Sequence, residues 1–252
     1  MKPEVVICLP ARYQSSRLPG KPLIKLAGKE LILWALQSAE KINVNQMLVA
    51  TDDKRIQQFV QNHGYQVVMT DSTNQSGTDR LAQVAAIMNW SDATIVVNYQ
   101  ADEPSTPKAN IKQLIQALID NPQAAIATLY QEIDNFNDLH NPNHVKLVTD
   151  LHDYALYFSR SAIPYARDAF SENKLDENIC YKHHIGLYAY RAIFLKQFAK
   201  LKQSDLEKTE SLEQLRAMSY GFKIIAKKAQ EKMPHGIDTA EDIKTFEKNR
   251  LN

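Results

Sequence analysis

Arg12, Arg17 and Lys21 fall within ten positions of each other, in Pro10-Ala11-Arg12-Tyr13-Gln14-Ser15-Ser16-Arg17-Leu18-Pro19-Gly20-Lys21-Pro22. Three cations on a loop of small residues suit a chain of phosphates, since arginine grips phosphate oxygens through a planar fork and lysine follows as a flexible point charge. Gly20 lets the backbone turn tightly between two prolines. The G-x-x-x-x-G-K-[ST] spacing of a Walker A loop is absent, so charge alone fits either a polyphosphate site or a solvated surface loop. A second group is Asp102-Glu103, where the apolar run Val96-Val97-Asn98 gives way to carboxylates. Asp102 is the better magnesium ligand of the two, because magnesium takes oxygen ligands, keeps several waters and is held by one or two carboxylates plus phosphates. As a strand-end acid it is equally compatible with an ordinary loop. Asp238, just before Thr239 and a helical stretch, reads by itself as a helix cap.

These groups need a scaffold, and the chain supplies an alternating one. Val5 to Leu9 is a short unbroken apolar run, the pattern of a strand covered on both faces. In open α/β sheets ligands bind beyond the carboxyl ends of the strands, which is where the loop after Leu9 leaves. Met47 to Ala50, Val67 to Met69 and Thr94 to Asn98 predict further strands, with helices opening near Lys54, at Ser76 to Arg80 and after Thr106-Pro107. The order predicts an α/β fold: a mainly parallel sheet flanked by helices. From residue 125 the pattern changes. Ala125 to Leu129, Val145 to Val148 and Tyr154 to Phe158 predict strands, the last two as a hairpin; residues 166 to 182 predict a mobile segment; and His184 to Tyr190 predicts a strand. Helices at Ala192 to Lys200 and Leu206 to Met218, a strand at Lys223 to Ala226 and a helix from Thr239, with Asp242 three positions on, complete the reading.

Composition removes several classes. With 252 residues the chain can bury a sizeable core, and its net charge of +1 provides no field to draw it onto nucleic acid or a membrane surface. Cys8 and Cys180 are far apart, which argues against a disulfide or zinc site. No apolar run has the length of a membrane span and no signal peptide opens the chain, so the expected compartment is the cytoplasm.

The joint pattern A-R-x-x-S-x-R-L-P-G-K-P-L resembles the amino-terminal signature of sugar nucleotidylyltransferases, in detail that of the cytidylyltransferases that activate 3-deoxy-manno-octulosonate (Kdo). Gln100-Ala101-Asp102-Glu103-Pro104, Ser76-Gly77-Thr78-Asp79-Arg80-Leu81, Ala155 to Pro164, His184-Ile185-Gly186-Leu187-Tyr188, Leu212 to Arg216 and Gly236 to Asp242 match further motifs of that family in order. The resemblance implies a Rossmann-like nucleotidyltransferase fold in a single domain. Residues 1–130 would serve the nucleotide, a smaller mixed β region at about 131–230 would complete the sugar site and the dimer, and 231–252 would bring a metal ligand and a last helix. It implies CTP and an acidic 3-deoxy sugar as substrates, Mg2+ as cofactor and a homodimer. Arg12, Arg17, Lys21 and Asp102 would be catalytic, and Asp102 and Asp238 would hold the metal. Pro10, Ala11, Ser76, Gly77, Thr78, Arg80 and Gln100 would join Arg12, Arg17 and Lys21 around the nucleotide. Gln100, Arg160, His184, Tyr188, Glu213 and Gln214 would meet the sugar. Ala101 stands where the family usually has Gly, Ser105-Thr106 replaces an apolar pair, and His183 and Tyr165-Ala166 depart from the common residues. These changes leave the 8-amino analogue of Kdo open as the sugar, with another CTP-dependent sugar transferase or a non-catalytic nucleotide-binding protein as further alternatives.

Overall fold

Strand β1 (Val5–Ala11) is buried along nearly its whole length. Its side chains alternate between two separate cores, Ile7 and Leu9 on one face and Val6 and Cys8 on the other, which is why the run is apolar without a period of two. In the computed structural model, which describes residues 2–14, 18–74, 76–234 and 236–251, β1 leads through a 3₁₀ turn at Lys21–Leu23 into a small hairpin, β2 (Lys25–Leu26) and β3 (Lys29–Glu30), and then α1 (Leu31–Ala39). Next come β4 (Gln46–Thr51), α2 (Lys54–Asn62), β5 (Gln66–Met69), α3 (Gly77–Ile87), β6 (Ile95–Asn98) and α4 (Lys108–Asp120).

The second half runs β7 (Ala124–Glu132), α5 (Phe136–His140), β8 (Lys146–Thr149), β9 (Ala155–Ser159), α6 (Arg167–Ser171), β10 (Lys182–Arg191), α7 (Ala192–Phe198), α8 (Asp205–Glu210), α9 (Gln214–Ser219), β11 (Lys223–Lys228) and α10 (Ala240–Leu251). Among the described residues nine strands join in one sheet, in the order β11-β7-β10-β6-β1-β4-β5, with the β8–β9 hairpin hanging from β10. Pairings β1–β4, β1–β6, β4–β5 and β7–β11 are parallel. β10 is antiparallel to both β6 and β7. The fold is therefore mixed α/β with a mostly parallel sheet between layers of helices: α1, α2 and α4 pack on one face and α3, α7 and α9 on the other. No helix among the described residues is long and apolar enough to cross a membrane.

Two expectations need correction. Residues 166 to 182, expected as a mobile segment, hold α6, and Ala166, Phe170 and Tyr181 bury with Ile133 and Leu139 in a satellite core. The helix expected over Leu206 to Met218 is two helices. Ser211 takes a left-handed conformation, φ 52°, and ends α8 before α9 begins.

Candidate active site

β1 and β6 are parallel neighbours, with Cys8 opposite Asn98, so the segments after Ala11 and Asn98 emerge at the same edge of the sheet. Between them lies a cleft of about 430 Å³, lined by Pro10, Ala11, Arg12, Gln14, Lys21, Ser76, Gly77, Gln100, Ala101, Asp102 and Asp238 among others. Gly20 shapes the loop that leads to Lys21. Its φ of +70° is left-handed, and a side chain there would press its Cβ to 3.0 Å from the Tyr13 hydroxyl. Its N–H donates to Tyr13 O at 2.9 Å, closing the loop.

The turn after Gly20 directs Lys21 inward. Lys21 Nζ donates to Asp102 Oδ2 at 2.5 Å and to Asp238 Oδ1 at 2.8 Å, and its side chain is 11% exposed. Two carboxylates far apart in the sequence thus converge on one cation. The backbone fixes this meeting, since Ile237 N donates to Asp102 O at 2.9 Å. Asp242 Oδ2 accepts from the N–H groups of Asp238 and Thr239, and Thr239 Oγ1 accepts from Asp242 N, so that box serves the helix end while the Asp238 carboxylate reaches Lys21. Among the described residues no three His, Cys, Asp or Glu side chains form a metal cluster. The converging pair offers two hard oxygen donors beside open cleft, the kind of donor set that suits magnesium completed by water and phosphate. Glu103 lies beside it, partly buried. Burial and the neighbouring Asp102 push its carboxyl up to about 7, and Thr106 Oγ1 lies 3.3 Å from its Oε2.

The other expected residues separate into three groups. Ser76 and Gly77 open α3 at the cleft, where Ser76 and Asp79 form a capping box and the amide-rich helix start faces any anion. Arg12 also faces the cleft, and its Nη2 donates to Asn74 O at 2.5 Å. Tyr188, Glu213 and Gln214 are brought together with Thr78 and Tyr190 around a second, small cavity. His184 borders a wide groove of about 910 Å³ with His144, His183, Lys228, Lys232 and Glu103. It is buried, its Nε2 lies 2.9 Å from Thr128 Oγ1, and desolvation pulls its pKa down to about 3, so the ring is neutral.

Two arginines expected at ligands sit elsewhere. Arg80 is fully buried, its guanidinium pairing with Asp52 Oδ2 at 3.0 Å and donating to Thr70 Oγ1. It braces the ends of β4 and β5 rather than lining the cleft. Arg160 donates to Glu210 O at 2.7 Å and to Pro142 O at 2.9 Å, so its fork ties the loop before β8 to the end of α8. Arg17 lies outside the described residues. Gln14 joins the cleft without having been singled out for it, since it belongs to no recurrent spacing. Glu103 stands in the expected Asp-Glu pair but borders the wide groove rather than the cleft.

The sequence profile described as "Cytidylyltransferase" matches residues 6–228. The chain belongs to the cytidylyltransferase family. It is 46% identical over 240 residues to a protein of Nitrosococcus oceani named 3-deoxy-manno-octulosonate cytidylyltransferase, covering 94% of this chain and 93% of that one. A Pseudomonas fluorescens protein of the same name is also 46% identical, covering 96% of each. A solved structure described as CMP:2-keto-3-deoxy-manno-octonic acid synthetase complexed with CTP superposes with a TM-score of 0.89 at 38% identity, covering 98% of each chain. A 4-diphosphocytidyl-2C-methyl-D-erythritol synthase, at 11% identity and a TM-score of 0.64, shares the fold alone.

Proposed function

We propose that the protein transfers the cytidylyl group of CTP to the anomeric hydroxyl of Kdo, giving the CMP-sugar and pyrophosphate. The observation that carries this reading is the convergence of Asp102, Asp238 and Lys21 at a cleft that also presents Arg12 and the start of α3. The near full-length relatives named for Kdo support the choice of sugar and favour it over the 8-amino analogue. In the transfer, the anomeric oxygen bonds to the α-phosphorus, the bond from that phosphorus to the departing pyrophosphate breaks, and the hydroxyl proton leaves to water. Displacement of this kind needs alignment and charge neutralisation more than a protein nucleophile.

Arg12 and Lys21 are placed to hold the phosphates, with Arg17 assigned the same role from the motif. Lys21 carries its charge on a flexible stem, so it can turn from the carboxylates toward an arriving triphosphate. Asp102 and Asp238 would hold magnesium, which when bound supplies positive charge to the phosphate oxygens. Ser76, Gly77 and Gln100 flank the nucleotide, and Tyr188, Glu213 and Gln214 face the sugar. The exposed Leu151 and Leu156 on the β8–β9 hairpin support a second copy of the chain as the partner that covers this hairpin, a homodimer. Activity is tested by measuring pyrophosphate release at fixed CTP with Kdo, its 8-amino analogue or sialic acid. Kdo is expected to react fastest. No release with Kdo, or faster turnover of sialic acid, would overturn the reading.

A further inference from the structure

The amino end of α3 faces two ways. Ser76 and Gly77 line the nucleotide cleft, Ser76 also hydrogen-bonding Glu213 through its side chain, and the next two side chains turn toward α9. Thr78 is 2% exposed, and its hydroxyl bonds both Glu213 Oε1 and, at 3.0 Å, the Tyr190 hydroxyl. A hydroxyl has one hydrogen to give. With Glu213 accepting it, Tyr190 must donate to Thr78, so the three groups form a directed chain. The Tyr190 hydroxyl also bonds the side chain of Asn98, the last residue of β6, which leads into the Gln100 to Asp102 segment. Asp79 adds a second link, pairing with Arg216 Nη1 at 3.3 Å while completing the cap with Ser76. Beside Glu213, the buried Gln214 Nε2 has no hydrogen-bond partner among the described residues and lies at the small cavity. An amide donor left so is costly, and a ligand acceptor would relieve it.

We propose that Thr78 is a positioning residue for the sugar: it fixes the Glu213 carboxylate for the sugar hydroxyls and ties that orientation to the helix start that seats the nucleotide. The inference rests on the assignment of an acidic sugar as second substrate. The motif at Ser76 to Leu81 had assigned Thr78 to the nucleotide; its side chain instead faces Glu213.

The test compares initial rates of pyrophosphate release by the full chain, varying Kdo and CTP separately, for wild type, Thr78→Val and Thr78→Ser, with melting temperatures recorded. Loss of a hydrogen bond to a charged group predicts that Thr78→Val raises KM for Kdo about tenfold, while KM for CTP moves less than about twofold. Thr78→Ser, which keeps the hydroxyl, should return KM for Kdo to within about twofold of wild type. If Thr78→Val does not fold, Tyr190→Phe removes the donor behind Thr78 and should raise KM for Kdo about threefold with KM for CTP unchanged. Wild-type kinetics in these variants, or equal changes in both KM values without rescue by serine, would overturn the proposal. A wild-type protein that releases no pyrophosphate with Kdo would instead overturn the assignment of the sugar.

Discussion

Asp102 and Asp238 are the proposed magnesium ligands: their side chains are 37% and 44% exposed, and both lean on Lys21. Asp102→Asn and Asp238→Asn should each lower kcat by about 100-fold or more, a loss of roughly 3 kcal/mol of transition-state stabilisation, with CTP affinity changed far less. Stopped-assay pyrophosphate release together with equilibrium CTP binding would separate the two effects; near wild-type turnover at saturating magnesium would remove the carboxylates from the mechanism. His184 makes a pH prediction. Its pKa is lowered in the folded state to about 3 from an ordinary 6.5, so the unfolded chain binds the extra proton between those values. The stability that comes from keeping the ring neutral is full above pH 6.5 and drains away as pH falls toward 3, at about 1.4 kcal/mol per pH unit. His183, lowered to about 4 by burial and by His144 and Lys146, adds to the same slope. Urea unfolding from pH 8 to 5 should show it, and His184→Gln should flatten it; identical slopes for the two proteins would refute the burial argument. At this scale the sequence revealed residue types and motifs but not partners. Lys21 meets carboxylates 81 and 217 positions away. Arg80 and Arg160 have the chemistry of anion grips, yet which strand ends and carbonyls surround a guanidinium is decided by tertiary packing that no local spacing records.

Between α8 and α9 the chain turns on Ser211, and a buried ion pair holds the corner. Arg216 donates through Nη2 to Glu207 Oε1 at 2.6 Å and through Nε to Oε2 at 2.8 Å, with its guanidinium carbon 4.4 Å from the Phe198 ring centroid. Arg216→Met leaves Glu207 buried without its partner and should cost about 3 kcal/mol or more of unfolding free energy in urea titrations. Arg216→Met with Glu207→Leu should recover much of that loss. A single variant as stable as wild type would mean that the pair is dispensable to the corner. Legibility differs between elements for identifiable reasons. β1, β4 and β6 were readable because two-sided burial writes a continuous apolar run. α2 and α3 were readable from their caps at Asp53 and Ser76. α1 carried no signal of its own, since Leu31, Ile32, Leu33, Ala35, Leu36 and Ala39 are all buried and leave little polar face to reveal a period. The break at Ser211 was hidden because neither Gly nor Pro marks it: a serine fills the left-handed position.

As a whole the molecule puts its nucleotide cleft at the carboxyl edge of the sheet and hangs an apolar hairpin beyond β10. Leu151 is wholly exposed and Leu156 is 60% exposed, so light scattering on a sizing column should report twice the chain mass for wild type and a shift toward monomer for Leu156→Lys. A wild-type protein that stays monomeric at micromolar concentration would exclude this hairpin as a stable interface. The layered α/β plan was legible from the alternation of elements, whereas the position of β10, antiparallel between β6 and β7, was not, because pairing partners far apart in the chain leave no local trace. The meeting of Asp102 with Asp238 has one more consequence. Every strand of the sheet is complete by Lys228, yet one of the two carboxylates arrives only with the segment that Ile237 docks against Asp102. The sheet and the loop that carries Lys21 can therefore assemble before the pair of carboxylates is complete, so a chain shortened after Lys228 should still offer the Arg12 and Lys21 side of the cleft while lacking Asp238.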